Sequence, residues 1–268
     1  MNTVFRFRWF LFVMIFAGFI NIGHSEQFIV ENGKPRAEII IAEKPARPAE
    51  FGAEELKRYL KKITGAELEI VTKPTDQAAV WIFVGESEHA RRAGITAKGL
   101  KRDAFKMVSG ANWLALVGND LEFEPREPWA RHHGQWAQEK QSEWDKITRK
   151  PWMNPIGRRL YRNYNKQLDL WNFDHRGSLN AVYAFLRELG VRWYMPGELG
   201  EILPQKTNVI LPKIDRTVTP GWKIRSISRP MISANELEDA LWYLRIGANK
   251  QYAILHHGQR CLTEHPDQ

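Results

Sequence analysis

The sequence predicts an α+β domain, a two-layer sandwich in which a mostly antiparallel or mixed sheet carries its helices on one face. Three observations predict it. Short runs of β-branched and aromatic residues recur along the chain, several of them meet across turn signals such as Asn32-Gly33, and two long amphipathic stretches stand between them.

Phe28-Ile29-Val30 and Glu38-Ile39-Ile40-Ile41 read as two strands around the turn Glu31 to Lys34, where Asn-Gly supplies the positive φ angles of a tight hairpin. The Pro-rich connection Lys44 to Pro48 stops the sheet. Phe51, Leu56, Tyr59, Leu60 and Ile63 then recur at helical spacing, with Glu54, Lys57, Lys61 and Lys62 on the other face. Acidic Glu50, Glu54 and Glu55 open this helix, basic Lys61 and Lys62 close it, and Gly65 stands at its C-terminal cap. Glu67 to Val71 alternates as a half-buried strand, and Ala79 to Val84 reads as a more buried one. Phe105 to Val108 and Trp113 to Val117 pair around Ser109 to Asn112.

From Leu121 to Phe173 the periodicity dissolves, except for a helical spacing from Gln135 to Lys146. Trp129, Trp136, Trp144, Trp152 and Trp171 gather in this long insert, which spans 121–175. Order returns with Leu179, Val182, Tyr183, Leu186 and Leu189, an amphipathic helix that Asp174 is expected to cap and Gly190 to end. Val191 to Tyr194 and Asn208 to Leu211 read as short strands, with Arg192 placed to pair with Glu198 or Glu201. Ile214 to Pro220 reads as a linker, and one helix, Leu237 to Ile246, follows.

Met1 to Arg8 is basic, Trp9 to Ile20 is apolar apart from Gly18, and Asn21, Gly23 and Ser25 suit a cleavage site. Residues 1–25 therefore read as a secretory signal peptide and place the protein outside the cytoplasm, secreted or in the periplasm or cell envelope. An uncleaved segment would be the one route to a membrane, but its apolar run falls short of the roughly 20 residues of a spanning helix. Cys261 is the single cysteine, so no internal disulfide can staple the core. Apolar residues make up 43% of the chain and the mean hydropathy is −0.46, values of an ordinary globular protein. The net charge of +8 is spread among acidic residues, whereas a nucleic-acid binder concentrates such charge in a stripe or tail. Nucleic acid is not an expected partner.

Three stretches taken together resemble the second domain of family 20 glycoside hydrolases, the β-hexosaminidases, and the N-terminal domain of α-glucuronidases. They are Ala53-Glu54-Glu55-Leu56 running on to Ile63-Thr64-Gly65-Ala66, Arg176-Gly177-Ser178-Leu179 through Leu186, and Gly190-Val191-Arg192-Trp193-Tyr194-Met195-Pro196-Gly197. The resemblance covers residues 26–215 and implies a non-catalytic domain that precedes a TIM barrel. Residues 216–268 would then hold a linker and an incomplete C-terminal barrel start, with Lys223 to Arg229 opening its first strand. By that analogy Arg225 or Arg229 reaches a sugar. The Asp-Glu pair that a family 20 enzyme uses is not found in the sequence, so no catalytic residue is assigned. The implied partner is a carbohydrate or polysaccharide, with no cofactor.

The remaining candidates have ordinary explanations. Glycoside hydrolysis needs two carboxyls across one bond, but Glu236, Glu238 and Asp239 open a helix, where negative charge is normal. His256, His257, Cys261 and His265 lack the second ligand pair of a zinc site, so no metal is assigned. Trp129, Trp136, Trp144 and Trp152 either stack on sugar rings, beside Arg and Asn, or fill the interior of their own insert. The first alternative would make the chain a carbohydrate-binding or cell-surface protein without hydrolase activity.

Overall fold

The computed structural model describes residues 26–124, 142–143, 146–147, 164–222, 225 and 235–249. The chain enters through β1 (Phe28–Glu31), which turns at Asn32 and Gly33, both at positive φ, into β2 (Lys34–Pro35). β3 (Ala37–Ile40) does not continue that hairpin. It leaves at Arg36 for a second sheet, because Ile39 and Ile40 face opposite sides and both are fully buried, which only an interior strand allows.

α1 (Arg47–Thr64) follows directly. The prolines expected only to stop the sheet also start this helix: Pro48 sits in its first turn, where the missing N–H costs nothing. Gly65, at φ 77°, closes it by donating to the Lys61 carbonyl. β4 (Ile70–Val71), β5 (Val80–Val84), the short α2 (Glu88–Arg92), β6 (Phe105–Ser109) and β7 (Trp113–Gly118) come next. After the hairpin of β8 (Tyr164–Asn165) and β9 (Leu170–Trp171) comes α3 (Gly177–Glu188). The chain then forms β10 (Arg192–Trp193), β11 (Glu201–Ile202), β12 (Val209–Ile210) and β13 (Asp215–Val218), and last α4 (Glu236–Arg245).

The main sheet has the order β13-β6-β7-β5-β3-β4. Its members β4, β3, β5 and β7 run parallel, β6 runs antiparallel to β7, and β13 pairs antiparallel with β6, so the sheet is mixed. Alternation along the strands makes two interiors. Ile39, Ile82, Val84, Leu114 and Leu116 face α1 and α3, while Ile40, Phe83, Ala115 and Val117 face α2 and the loop around Ile95. The two long helices thus share one face, as an α+β sandwich requires. No closed barrel occurs among the described residues.

Three local expectations change. The stretch expected as a linker contains β13, which pairs with β6 from Asp215 to Val218 and covers an edge that would otherwise offer unpaired backbone groups. Asp174 does not cap α3. It accepts from the amides of Phe123 and Trp171 and from Arg47, while the first turn of α3 is held by Asp120, which accepts from the Ser178 amide at 2.8 Å. Arg192 pairs with neither Glu198 nor Glu201; it donates to the carbonyls of Arg187 and Val191.

Of the tryptophan-rich insert, Trp171 packs against Phe123, Phe173 and Tyr164 in a small aromatic cluster. Trp129, Trp136, Trp144 and Trp152 lie outside the described residues, as do Arg229, residues 1–25 and the set His256, His257, Cys261 and His265.

Candidate docking site for the C-terminal segment

Two groups of charged residues converge where the segment containing Arg225 and α4 meets the sandwich. The first surrounds α1. Glu55 lies on the buried face of that helix, four residues before Tyr59 and one turn from Gly52, so its carboxylate must enter the interior. There it accepts from Arg245 Nε of α4 at 3.2 Å and from the Tyr183 hydroxyl of α3 at 3.0 Å, and it pairs with Arg58 at 2.9 Å. The Glu55 and Arg245 side chains are 2% and 5% exposed, so this is an ion pair removed from water. Glu201, at the start of β11, completes the arrangement. It accepts from Arg245 Nη1 at 3.1 Å, from Lys62 at 2.8 Å and from the Tyr59 hydroxyl. Tyr59 in turn accepts from the Trp193 indole at 2.8 Å, and the Arg245 guanidinium stands 5.3 Å from the Tyr59 ring centre.

Burial is the largest single influence on each titration, yet the partners reverse it at two of the three groups. It opposes the charge on Glu201, but Lys62, Tyr59 and Arg245 outweigh it and hold this carboxyl below its usual range. It also opposes the charge on Arg245, and here Glu55, the two tyrosines and Glu201 more than compensate. Desolvation drives the Tyr183 hydroxyl well up, with Glu55 adding to it, so the phenol remains a hydrogen-bond donor.

The second group receives the C-terminal turn of α4. The last carbonyls of a helix lack partners within it and carry its negative end. Arginines supply donors here: Arg187 to the Arg245 carbonyl at 2.9 Å and, in the turn that leaves the helix, Arg225 Nε to that of Gly247 at 2.7 Å and Arg176 to that of Ala248 at 3.0 Å. Arg225 is further fixed to the Trp222 carbonyl and, at 2.6 Å, to Asp103. Its backbone exchanges hydrogen bonds with Asn249, donating to the side chain and accepting from the amide. Asp103 is a buried residue at φ 58°, held there because it also accepts from the Arg176 amide. Burial works against its charge, but Arg176 and Arg225 keep its carboxyl below the usual range.

Apolar contacts complete the seat. Leu241, Tyr243, Leu244 and Ala248 are buried, and the Trp242 indole donates to the Trp193 carbonyl at 3.2 Å. Leu241, Trp242 and Leu244 therefore form no exposed apolar surface, whereas Trp222 is 78% exposed. The acidic Glu236, Glu238 and Asp239 stand in the first turn of α4 behind Asn235, whose side chain caps the helix.

Of the two arginines singled out as sugar contacts, Arg225 thus donates to Asp103 and to two carbonyls. Nothing in the sequence signals that Glu55, Glu201 and Arg245 meet. Glu55 has one local signal, a carboxylate in register with Tyr59 and Ile63, but it also fits the acidic opening of the helix.

Acid should loosen this seat. Glu201 and Asp103 titrate below their unfolded values of roughly 4, so their contribution is complete above that pH and is lost as the pH falls through the lower folded values. Hydrogen exchange of the 235–249 amides is expected to accelerate below about pH 4 before that of the β5 and β7 amides; equal acceleration of both would refute a local effect.

The fold and this seat together define an α+β domain that grips a helix from the chain following it. The chain matches no protein-family model and no curated protein. Among solved structures it is similar to a family GH115 4-O-methyl-α-glucuronidase with specificity for decorated arabinogalactans, at 18% identity and a TM-score of 0.43. That likeness covers 73% of this chain, and the chain spans 19% of the length of that enzyme.

Proposed function

We propose that residues 26–215 form the non-catalytic domain of an exported glycoside-hydrolase-like protein acting on polysaccharide or glycoconjugate, and that the domain holds the segment that follows it in a fixed position. The observation that carries this reading is the reception of α4, with Arg245 paired in the interior to Glu55 and Glu201, the Arg245 and Ala248 carbonyls met by Arg187 and Arg176, and Arg225 of the same segment fixed to Asp103. A tail that merely trailed from the sandwich would have no use for a buried ion pair, whose desolvation is costly. The glycoside-hydrolase part rests on the three stretches that resemble such domains, and export rests on the character of residues 1–25. The carboxylates around the seat of α4 are consistent with a non-catalytic role there: Glu55, Glu201, Asp103 and Asp174 are each engaged by an arginine or lysine, whereas hydrolysis needs a pair free to act across one bond.

The test is to incubate the full chain with aryl glycosides and with neutral and acidic polysaccharides, and to run it through gels containing the same polysaccharides. No release of reducing ends is expected. Release in proportion to protein would overturn the non-catalytic reading. Retardation that disappears when Trp129, Trp136, Trp144 and Trp152 are replaced by Ala would favour instead an independent carbohydrate-binding protein.

A further inference from the structure

The parallel strands leave a cleft at their carboxyl ends, away from the seat of α4. The connection leaving β3 runs through α1 to β4 on one side, whereas the chain leaving β5 goes on to β7 on the other. Two adjacent connections that part in this way open a crevice between them, the position at which open α/β sheets hold ligands. Here the crevice encloses about 270 Å³, with Lys44 at its rim and Ala49, Gly85, Ala97, Gly118 and Asp120 among its walls.

Its shape depends on bare backbone. Gly85 lies at φ 77°, and a Cβ there would stand 2.6 Å from that of Ala49. Asp120 uses Oδ1 to accept from the Ser178 amide, and the other oxygen, Oδ2, lies on the Gly85 side. Burial of its carboxyl away from water, with Asp103 and Glu122 adding to it against the Ser178 bonds, pushes its pKa up to about 7. Near neutrality this group can both donate and accept. Glu86, also in the wall, is already engaged by the Ala97 amide, Arg91 and Thr96.

We propose that this cleft is a binding site for a small, uncharged polyhydroxylated ligand, a single sugar ring or a polyol, with its hydroxyls bonded by Asp120 and by the Lys44 ammonium. Size restricts the ligand to one ring, since the volume lies just under the roughly 300–1,000 Å³ of drug-sized pockets. Charge favours a neutral molecule. The lining carries one ammonium, Lys44, and two carboxyls, Asp120 with its pKa raised toward neutrality and Glu86 already hydrogen-bonded, so neither a phosphate nor a metal ion finds a matching charge. Hydroxyls, which donate and accept, match a carboxyl that does both. This inference stands on other residues than the docking reading, because the cleft is lined by none of Glu55, Glu201, Asp103, Arg176, Arg187 or Arg245.

The experiment is an NMR titration of the ¹⁵N-labelled full chain with D-glucose, D-xylose and glycerol, with inorganic phosphate and D-glucuronate as charged probes. The Gly85 and Gly118 amides are expected to shift with a neutral probe and to saturate at a millimolar Kd, as the ligand efficiency of so small a molecule implies. Ala97→Trp, which puts a large ring on a wall of the cleft, is expected to abolish those shifts. Asp120→Asn, which keeps the Ser178 contact, should weaken binding severalfold. Shifts with phosphate alone, shifts confined to other residues, or unchanged shifts in both variants would overturn the proposal.

Discussion

Gly177→Ala is expected to remove a large part of the folding stability of the chain, and Gly118→Ala to do the same. The two glycines cross where the end of β7 meets the first turn of α3. A Cβ on Gly177 would stand 2.5 Å from the Ala104 carbonyl oxygen and closer still to the Asn119 amide nitrogen. A Cβ on Gly118 would stand 2.5 Å from the Ser178 amide nitrogen and closer still to the backbone of Gly177. Every neighbour is main chain, so no rotamer change relieves the overlap and the helix must lift from the sheet. Lifting it breaks the Gly177 amide to Asn119 carbonyl bond and the Gly118 amide to Ser178 hydroxyl bond. It also parts the interior to which α3 contributes Leu179, Val182, Tyr183, Phe185 and Leu186. The loss should exceed about 4 kcal/mol, the range of the most damaging single substitutions, out of a total of roughly 5–15 kcal/mol. Denaturant unfolding followed by far-ultraviolet circular dichroism measures it. A cooperative transition with an unchanged midpoint would show that the crossing is not as close as described. Gly94→Ala is the control: Gly94, unlike Gly118 and Gly177, lies at positive φ, but its Cβ meets nothing within 4 Å, so only the smaller backbone strain is added.

Arg245→Met carries the second largest effect, and its consequence is local before it is global. Methionine fills much of the same space but leaves Glu55 and Glu201 without their shared partner. Removing one member of a buried ion pair costs roughly 3–5 kcal/mol, because the remaining charge stays buried. Arg58 and Lys62 still compensate in part, which places the expected loss toward the lower end of that range. The loss falls first on α4, whose amides from Ala240 to Arg245 should exchange faster, while those of β3, β5 and β7 keep their protection. The triple variant Glu55→Gln, Glu201→Gln, Arg245→Met removes the stranded charges together and is expected to recover a large part of the stability. If the single and triple variants unfolded at the same denaturant concentration, the ion pair would not be what holds the segment. Arg245→Lys should behave more like the single variant than like the native chain, since one ammonium cannot reach both Glu55 and Glu201 in the forked geometry of Arg245.

These effects could be only partly anticipated from the sequence, and particular residues show why. The helix of residues 47–64 was legible to its cap, because the spacing of Leu56, Tyr59, Leu60 and Ile63 and the glycine at 65 act within one element. The Asn32-Gly33 turn was legible for the same reason. The destination of β3 was not. Ile39 and Ile40 read equally well as the second arm of a hairpin or as an interior parallel strand, and the choice depends on strands β5 and β7, some 40 to 80 residues further along the chain. The extended backbone of Asp215 to Val218 likewise had no apolar alternation to announce it; it is a strand because β6 offers an edge.

The sequence by itself determined the class of the fold, the two long helices with their buried faces, most of the strands and the apolar interior. These follow from side-chain periodicity and turn chemistry, which operate over about a dozen residues. Only the tertiary structure decided the pairing of charges. Asp174 was placed at the start of α3 by its position in the sequence, yet it serves Arg47, and Asp120 holds that helix from the far end of β7. Arg225 was drawn toward a sugar by analogy, yet its guanidinium meets Asp103 and the end of α4. Glu55 and Arg245 are 190 residues apart in the chain and become neighbours only when α1, α3 and α4 pack together. A charged side chain carries no local mark of its partner, because Coulomb attraction in the interior depends on distance in space and on the water excluded around it.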